Sequence, residues 1–565
     1  MQEETKELKI DPAQHVEGKI DPPPDANLTS KSLSYNAEES LIVEHNLGVW
    51  KAMKAYPMAI FWCLVISACV IMEGYDQILV SSFYAYPQFQ LKYGEYVGVG
   101  TTGYQITAPW QAGLSNASGV GAFFGTLLNG YLVHKFGHKR VLLGALVLLS
   151  AFIFITFFAP DLPVLCAGQV LAGLPWGIFA TAAPAYASEC LPMVLRVYFT
   201  SFTNMCFIIG QLIAAGVLRG LQGRPDQWAY RIPFALQWMW PVFLIPLVSM
   251  APPSPWHEVR MGRLESAEMA LRRLQRKSAD IDPKKTLAMI VYTNNLEEQL
   301  QVGTSYWDCF KSFELRRTEI ACMCFIGQPL SGANFAYNSS YFFEQVGLDT
   351  VTTYSLNLGG TGLALAGTLI NWFVIMPRFG RRPTYLAGMA VMVTILMTIG
   401  ILSVWGDKSS IGYAQSALCL LWTFVFQLSV GQLGWALPAE IGSTRLRQKT
   451  ICLARNAYYL VNVVSGVLQS YFMNPTAWNL SGYTGMFSLL HGEQILTIIG
   501  FFWGGTSLVV LIWAIFRLPE TNDRSYEQLD VLFANRVPAR HFKKTDADVF
   551  NRTKLFVLFM MDVVS

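Results

Sequence analysis

Two carboxylates, Glu73 and Asp76, stand three residues apart inside an otherwise apolar run. Residues three apart on a helix share one face. A charge held in hydrocarbon costs several kcal/mol and is rare without a function. An acid buried in this way is suited to taking up and releasing a proton. The alternative sets Glu73 near the outer water interface and makes Asp76 structural. Arg455 is the matching cation, six residues past Lys449 and roughly 9 Å deeper along a helix. It serves either as counter-ion to a first-span carboxylate or reaches back to the interface on its long stem. Two further pairs repeat at one spacing: Glu189 precedes Arg196 by seven residues, as Glu440 precedes Arg447. Charges of this kind at helix ends can pair in one conformation and part in another. An exposed pair contributes only about 0–1 kcal/mol. A network of them can bias two states a few kcal/mol apart. Ordinary positive-inside charge explains the basic members, but acidic residues set orientation weakly. The ten cysteines are scattered, and no Gly-x-x-x-x-Gly-Lys-Ser/Thr loop occurs. Neither a metal site nor a bound cofactor is expected, and no covalent catalysis.

These residues need long apolar elements to carry them. The chain has 565 residues, 53% hydrophobic and 14% charged, and its mean hydropathy is +0.34. A soluble chain carries roughly 25% charged residues. The net charge of +3 is too small to suggest nucleic acid as a partner. A span needs roughly 20 apolar residues to cross about 30 Å of hydrocarbon. Twelve such runs are predicted, at 57–80, 112–133, 141–159, 163–187, 200–219, 233–251, 317–343, 354–376, 384–404, 413–437, 450–472 and 496–516. Lys and Arg gather after the second (Lys135, Lys139, Arg140), the eighth (Arg378, Arg381, Arg382) and the tenth (Arg445, Arg447, Lys449). The positive-inside rule then puts those loops and both termini in the cytosol. Residues 1–50 read as a disordered cytosolic tail, 51–251 as an N-terminal six-helix bundle and 252–316 as a charged helical cytosolic linker. Residues 317–516 read as a C-terminal six-helix bundle and 517–565 as a cytosolic tail.

The halves resemble each other. Lys135-Phe136-Gly137-His138-Lys139 aligns with Arg378-Phe379-Gly380-Arg381-Arg382, and the two Glu–Arg pairs fall at corresponding places. This repeat predicts an all-α membrane protein of the major facilitator superfamily, with twelve transmembrane helices in two six-helix halves around a midplane site. Glu189, Arg196, Arg381, Glu440 and Arg447 then form a candidate cytosolic gate.

Longer motifs narrow the resemblance. Met72-Glu73-Gly74-Tyr75-Asp76, Pro175-Trp176-Gly177, Gly210-Gln211-Leu212-Ile213-Ala214 and Trp228-Ala229-Tyr230-Arg231-Ile232-Pro233-Phe234-Ala235 follow one another as in fungal maltose permeases. So do Leu453-Ala454-Arg455-Asn456-Ala457-Tyr458 and Asn474-Pro475-Thr476-Ala477-Trp478-Asn479. The chain resembles the fungal maltose/α-glucoside permeases, a branch of the sugar porters, over about residues 45–545. The resemblance implies proton-coupled symport of an α-glucoside such as maltose across the plasma membrane, by alternating access and as a monomer. It implies proton coupling at Glu73, Asp76 and Arg455. It also implies sugar contacts at Gln211, Gln328, Asn334 and Asn456, with Trp435 as the ring platform. An amide in a span can instead serve only to join helices, at about 1 kcal/mol. Departures from the family pattern include Gln169 where hexose porters carry Arg, and Ala122 where maltose permeases often carry Glu. They leave open a facilitator or symporter for another sugar (hexose, lactose, cellobiose). A sugar sensor that does not transport is a further alternative.

One segment stands apart. The family runs from Thr-Gly straight into Phe-Phe-Trp-Gly-Gly, and deleting Met486–Gly500 restores that run at Phe501. Codons for Gly485-Met486-Phe487 can contain a fungal splice-donor sequence, and those for Leu496–Gly500 a branch point and acceptor. Residues 486–500 are therefore expected to be a translated intron; the alternative is a real insertion, which a surface loop tolerates.

Overall fold

The computed structural model describes residues 35–545, apart from 38, 41, 45–46, 98–101, 277–280, 300–304, 312–313, 338, 346–349, 403–408, 474–494 and 523. A two-residue hairpin, β1 (Glu95–Tyr96) against β2 (Tyr104–Gln105), is the only sheet among the described residues. The first six long helices are α1 (Pro57–Phe83), α2 (Ala108–Phe136), α3 (His138–Phe157), α4 (Leu162–Cys190), α5 (Met193–Leu221) and α6 (Trp228–Met250). Three shorter helices follow, α7 (Pro255–Arg260), α8 (Leu264–Leu274) and α9 (Pro283–Gln299). The second set is α10 (Glu314–Leu330), α11 (Val351–Ile375), α12 (Arg381–Leu402), α13 (Tyr413–Ile441), α14 (Arg447–Met473) and α15 (Ile495–Arg517). A last helix, α16 (Tyr526–Ala534), begins with a capping box built by Ser525 and Gln528.

Ten of these helices are long and apolar enough to cross a membrane. The other two expected spans are α2 and α10. In α2 the apolar residues are interrupted by Ser115, Asn116, Ser118 and a series of glycines. The run 317–343 is not one helix. α10 stops after 17 residues, Gly332 turns the chain at φ +91°, and short helices Ala333–Tyr337 and Ser339–Gln345 continue it. Only glycine adopts that left-handed backbone without cost. Gly137 does the same between α2 and α3, at φ +79°.

Without water between them, helices in a bilayer gain by close backbone approach across small residues. Two such crossings organise the first half. Gly74 of α1 lies on the backbone of Phe207 in α5, and Gly210 of α5 lies on Ile71 and Tyr75 of α1. In α2 and α4, Gly121 and Gly125 face Gly173 and Gly177, each over the other helix's backbone. The first crossing fixes the turn of α1 that carries Glu73 and Asp76.

Residues 35–44, within the stretch expected to be a disordered tail, are ordered against the linker helices. Helical turns occur within 35–44, Ala37 is buried with Trp256, Leu271 and Ile290, and Lys285 reaches Glu39 at 2.5 Å. The apolar face of α7–α9 draws this stretch out of solution. The suspected intron lies outside the described residues up to 494. Its last residues, Ile495–Gly500, begin α15, and Gly500 sits on the backbone of Gly400.

A Cβ at Gly173 would collide with the Ser118 carbonyl region of α2, whereas one at Gly144 meets open space. Overpacking costs about 1–3 kcal/mol. Gly173→Val is expected to lower the melting temperature of the purified protein by several degrees, and Gly144→Ala to leave it unchanged. Differential scanning fluorimetry in detergent measures both.

Candidate binding and gating site

Glu73 and Asp76 sit one turn into α1 after a 3-10 kink at Ala68–Val70. They are buried but do not share partners. Three residues turn a helix through about 300°, so the two side chains diverge by about 60°. That angle sends Glu73 across to the second half and Asp76 back into the first. Glu73 Oε1 accepts from Arg455 Nη2 at 2.9 Å and from the Tyr459 hydroxyl at 3.2 Å. Arg455 also donates Nε to the Tyr459 oxygen at 3.2 Å. Four rings surround its guanidinium: Tyr458 at 4.3 Å, Trp435 at 4.5 Å, Tyr459 at 4.8 Å and Phe325 at 5.5 Å. Arg455 is 2% exposed, which removes snorkelling to the interface as a description of this side chain. Glu73 Oε2 is buried with no hydrogen-bond partner among the described residues.

Asp76 Oδ1 accepts from two amides, Gln237 at 2.6 Å and Gln169 at 3.3 Å. Gln169, a departure from the hexose-porter pattern, thus meets the first-span carboxylate directly. Ala122, the other departure, is buried in the cluster that holds Trp435, Tyr458 and Tyr459. Gln237 was not singled out by sequence, although it is a lone amide in the apolar run 233–251.

The five expected sugar contacts do not converge on one space. A cavity lies between the halves, lined by Gln211, Asn357, Trp422, Phe426 and Gln427 among others. Gln211 therefore lines it, with Nε2 3.5 Å from Gln77 Oε1. Gln427 accepts from Asn204 at 2.8 Å across the halves, and the Trp422 and Phe426 rings stack at 5.0 Å. Gln328 instead donates to the Gly431 carbonyl at 3.3 Å. Asn334 donates to Ser465 at 2.6 Å, and Asn456 accepts from Thr126. Trp435 gives its ring to Arg455 rather than to the cavity.

The gate residues cluster at the end of the bundle next to α7–α9, but not as expected. Glu189 pairs with Arg260 of α7, and accepts from Ser254 at 2.5 Å and His138 at 3.3 Å; Arg196 is not among these partners. Glu440 takes Arg381 at 3.4 Å and Thr521 at 2.7 Å, within its own half. Glu520 accepts from the backbone N–H of Arg381 at 2.9 Å and of Arg382 at 3.3 Å. The halves are joined instead by Arg260 donating to the Thr444 carbonyl at 3.2 Å and by Tyr526 of α16. Its ring lies 4.2 Å from the Arg196 guanidinium and 3.8 Å from that of Arg447. Arg447 is fully buried and none of its three side-chain nitrogens has a hydrogen-bond partner among the described residues. Tyr526 gave no signal in the sequence, because nothing local to residues 520–530 indicates that their helix docks under both halves.

Removing one member of a buried ion pair leaves the other uncompensated, at about 3–5 kcal/mol. Arg455→Leu is expected to lower the melting temperature strongly, and Glu73→Gln/Arg455→Leu to recover much of the loss. Thermal unfolding of the two purified variants checks this.

Known proteins can now be set beside this geometry. A family model for "Sugar (and other) transporter" matches residues 62–533. The maltose permease MAL31 of Saccharomyces cerevisiae is 37% identical over 528 residues, which are 92% of this chain and 83% of that protein. A general alpha-glucoside permease of the same yeast is 37% identical over 526 residues, 92% and 82% of the two chains. Among solved structures, the major facilitator proton:xylose symporter XylE bound to 6-bromo-6-deoxy-D-glucose superposes with a TM-score of 0.71 at 19% identity, covering 84% of this chain and 99% of that one. That likeness supports the fold: all-α, with the helices arranged as in the major facilitator superfamily. With its family model matched over most of its length and relatives at this identity, the chain belongs to the sugar transporter family, whose members are multi-pass membrane proteins.

Proposed function

We propose that this protein carries an α-glucoside such as maltose into the cell together with a proton, by alternating access in the plasma membrane. The names of its relatives support the sugar class. The observation that carries the coupling is the buried Glu73–Arg455 pair, which ties α1 of one half to α14 of the other. A proton on Glu73 removes its charge and loosens that tie, so protonation and movement of the halves become linked. Asp76 is the second carrier: two amides hold it, and no cation bonds to it among the described residues. Gln211 and the cavity it lines form the sugar site, with the Trp422–Phe426 stack as a platform beside Asn357 and Gln427. Gln328, Asn334, Asn456 and Trp435 bind sugar when the halves rearrange.

The end that carries α7–α9 faces the cytosol in this reading, with both termini. The basic loops at Lys135–Arg140, Arg378–Arg382 and Arg445–Lys449 all lie there. Glu189, Arg196, Arg381, Glu440 and Arg447 then form the cytosolic gate, with Tyr526 as its keystone.

Uptake of labelled maltose in a yeast lacking its own α-glucoside carriers, with and without a protonophore, tests the coupling. Uptake is expected to collapse with the protonophore. With Asp76→Asn or Glu73→Gln, internal maltose should settle at about the external level, since no proton gradient is coupled to it. Protonophore-insensitive uptake by the wild type would overturn the symport reading. For the gate, Tyr526→Phe keeps the ring and is expected to transport as wild type. Tyr526→Ala loses two cation–π contacts of about 0.5–2 kcal/mol each, and the linker end should open more. Accessibility of a cysteine placed at Ala185, inside the closed gate, to a membrane-impermeant thiol reagent in inside-out vesicles measures that opening.

A further inference from the structure

A second cavity opens at the linker end beside Glu189. His134, His138, His257 and Arg260 line one side, and Arg445 and Lys449 the other. It therefore spans the seam between the halves. Among the described residues Glu189 is the only carboxylate lining it, and both its oxygens are already committed to Arg260, Ser254 and His138. Other acids of this end are turned to other partners; Asp308, which acts on Lys449, pairs with Lys311 at 2.9 Å. Glu297 accepts from the Thr444 and Arg445 backbone, Glu258 pairs with Arg263 at 3.1 Å, and the exposed Glu298 is 3.8 Å from Arg445. Two long helices, α3 at His138 and α14 at Arg447, also begin here. Their first turns add positive potential, offset by the last turns of α2 and α4, which end beside His134 and Glu189. Cations crowded round an enclosed space repel one another, and an anion offsets that repulsion.

We propose that this cavity binds a phosphate-class dianion, and that the bound anion ties the two halves together in the arrangement closed at the linker end. The ligand is either a soluble phosphate monoester or inorganic phosphate, or the headgroup of a phosphoinositide. Arg260 and the protonated His257 hold it from one half, Arg445 and Lys449 from the other.

The histidines make such binding sensitive to pH. Burial pulls His257 down to about 4 from its usual range, with His138, Arg260 and Arg263 adding to the effect and Glu189 opposing it. With the cavity empty, His257 is thus neutral near neutral pH. A dianion favours the protonated ring and raises its pKa. Binding takes up a proton, so affinity rises as pH falls, in the window between about 4 and the pKa in the complex.

The test uses full-length protein in phosphatidylcholine nanodiscs without sugar, so its result is separate from the transport reading. Inorganic phosphate at about 10 mM is expected to raise the melting temperature, while chloride at equal ionic strength does not. Lys449→Gln and Arg445→Gln should each weaken binding about tenfold, the loss of one charge-assisted contact, and Lys449→Arg should retain it. Affinity for sulfate, which stays a dianion over this range, should rise from about pH 7.5 to about pH 6 in the wild type and not in His257→Gln. Nanodiscs doped with a phosphatidylinositol phosphate and free of soluble phosphate distinguish the source: stabilisation there alone identifies a headgroup, and stabilisation by free phosphate a soluble ligand. Stabilisation by neither, or an equal response in Lys449→Gln and Arg445→Gln, overturns the proposal.

Discussion

A charge inside a bilayer must find its counterpart within the protein, because no water is there to solvate it. The organisation of this chain follows from that requirement. Glu73 has nowhere to place its charge within its own half, and it is matched by Arg455 382 residues away in sequence. The same rule places Asp530 of the C-terminal segment 2.6 Å from the buried Arg317 at the start of α10. It also gathers Ser254, His138 and Arg260 around Glu189. Each of these links ties an element to one that is distant in sequence. The connections that satisfy isolated charges are therefore also the connections that set how helices and halves are placed.

The halves are joined at three levels. At the linker end, Arg260 and Tyr526 bridge them. In the middle, Glu73–Arg455, Thr126–Asn456 and Asn204–Gln427 do so. At the far end the Tyr354 hydroxyl donates to the Ser82 carbonyl at 2.6 Å, and that of Tyr341 to Gln105 at 3.4 Å. The cavity lined by Gln211 lies between the halves. Opening either end means breaking a handful of polar contacts, each worth about 0.5–1.5 kcal/mol net. Differences of that size allow a substrate or a proton to decide which end opens.

Rigidity within a half comes from a different source. The glycine crossings of α1 with α5, and of α2 with α4, bring backbones into contact and leave no room for relative sliding. Contacts between the halves are made mainly by side-chain tips, amides, hydroxyls and rings. Stiff halves with an adjustable seam are what a rocking motion requires.

How much of this was legible beforehand depends on the range of the interaction. Apolar run length is local, so the spans could be placed to within a few residues, and the repeat of the basic loops pointed to two halves. Glu73, Asp76 and Arg455 stood out because a charge in an apolar run is anomalous wherever its partner lies. The break of the seventh span at Gly332 was hidden, since one glycine in an apolar run does not announce a left-handed backbone. Partner choice was hidden as well. Spacing repeated a Glu–Arg pair in each half and set Glu73 beside Asp76, but the fold gave Glu189 to Arg260 and sent Glu73 and Asp76 to opposite halves. Gln237, Tyr459 and Tyr526 acquire their places only when distant helices meet. Sequence alone thus determined which residues cannot rest unpaired in a membrane. Tertiary structure decided what each is paired with, because a partner is chosen by distance in space.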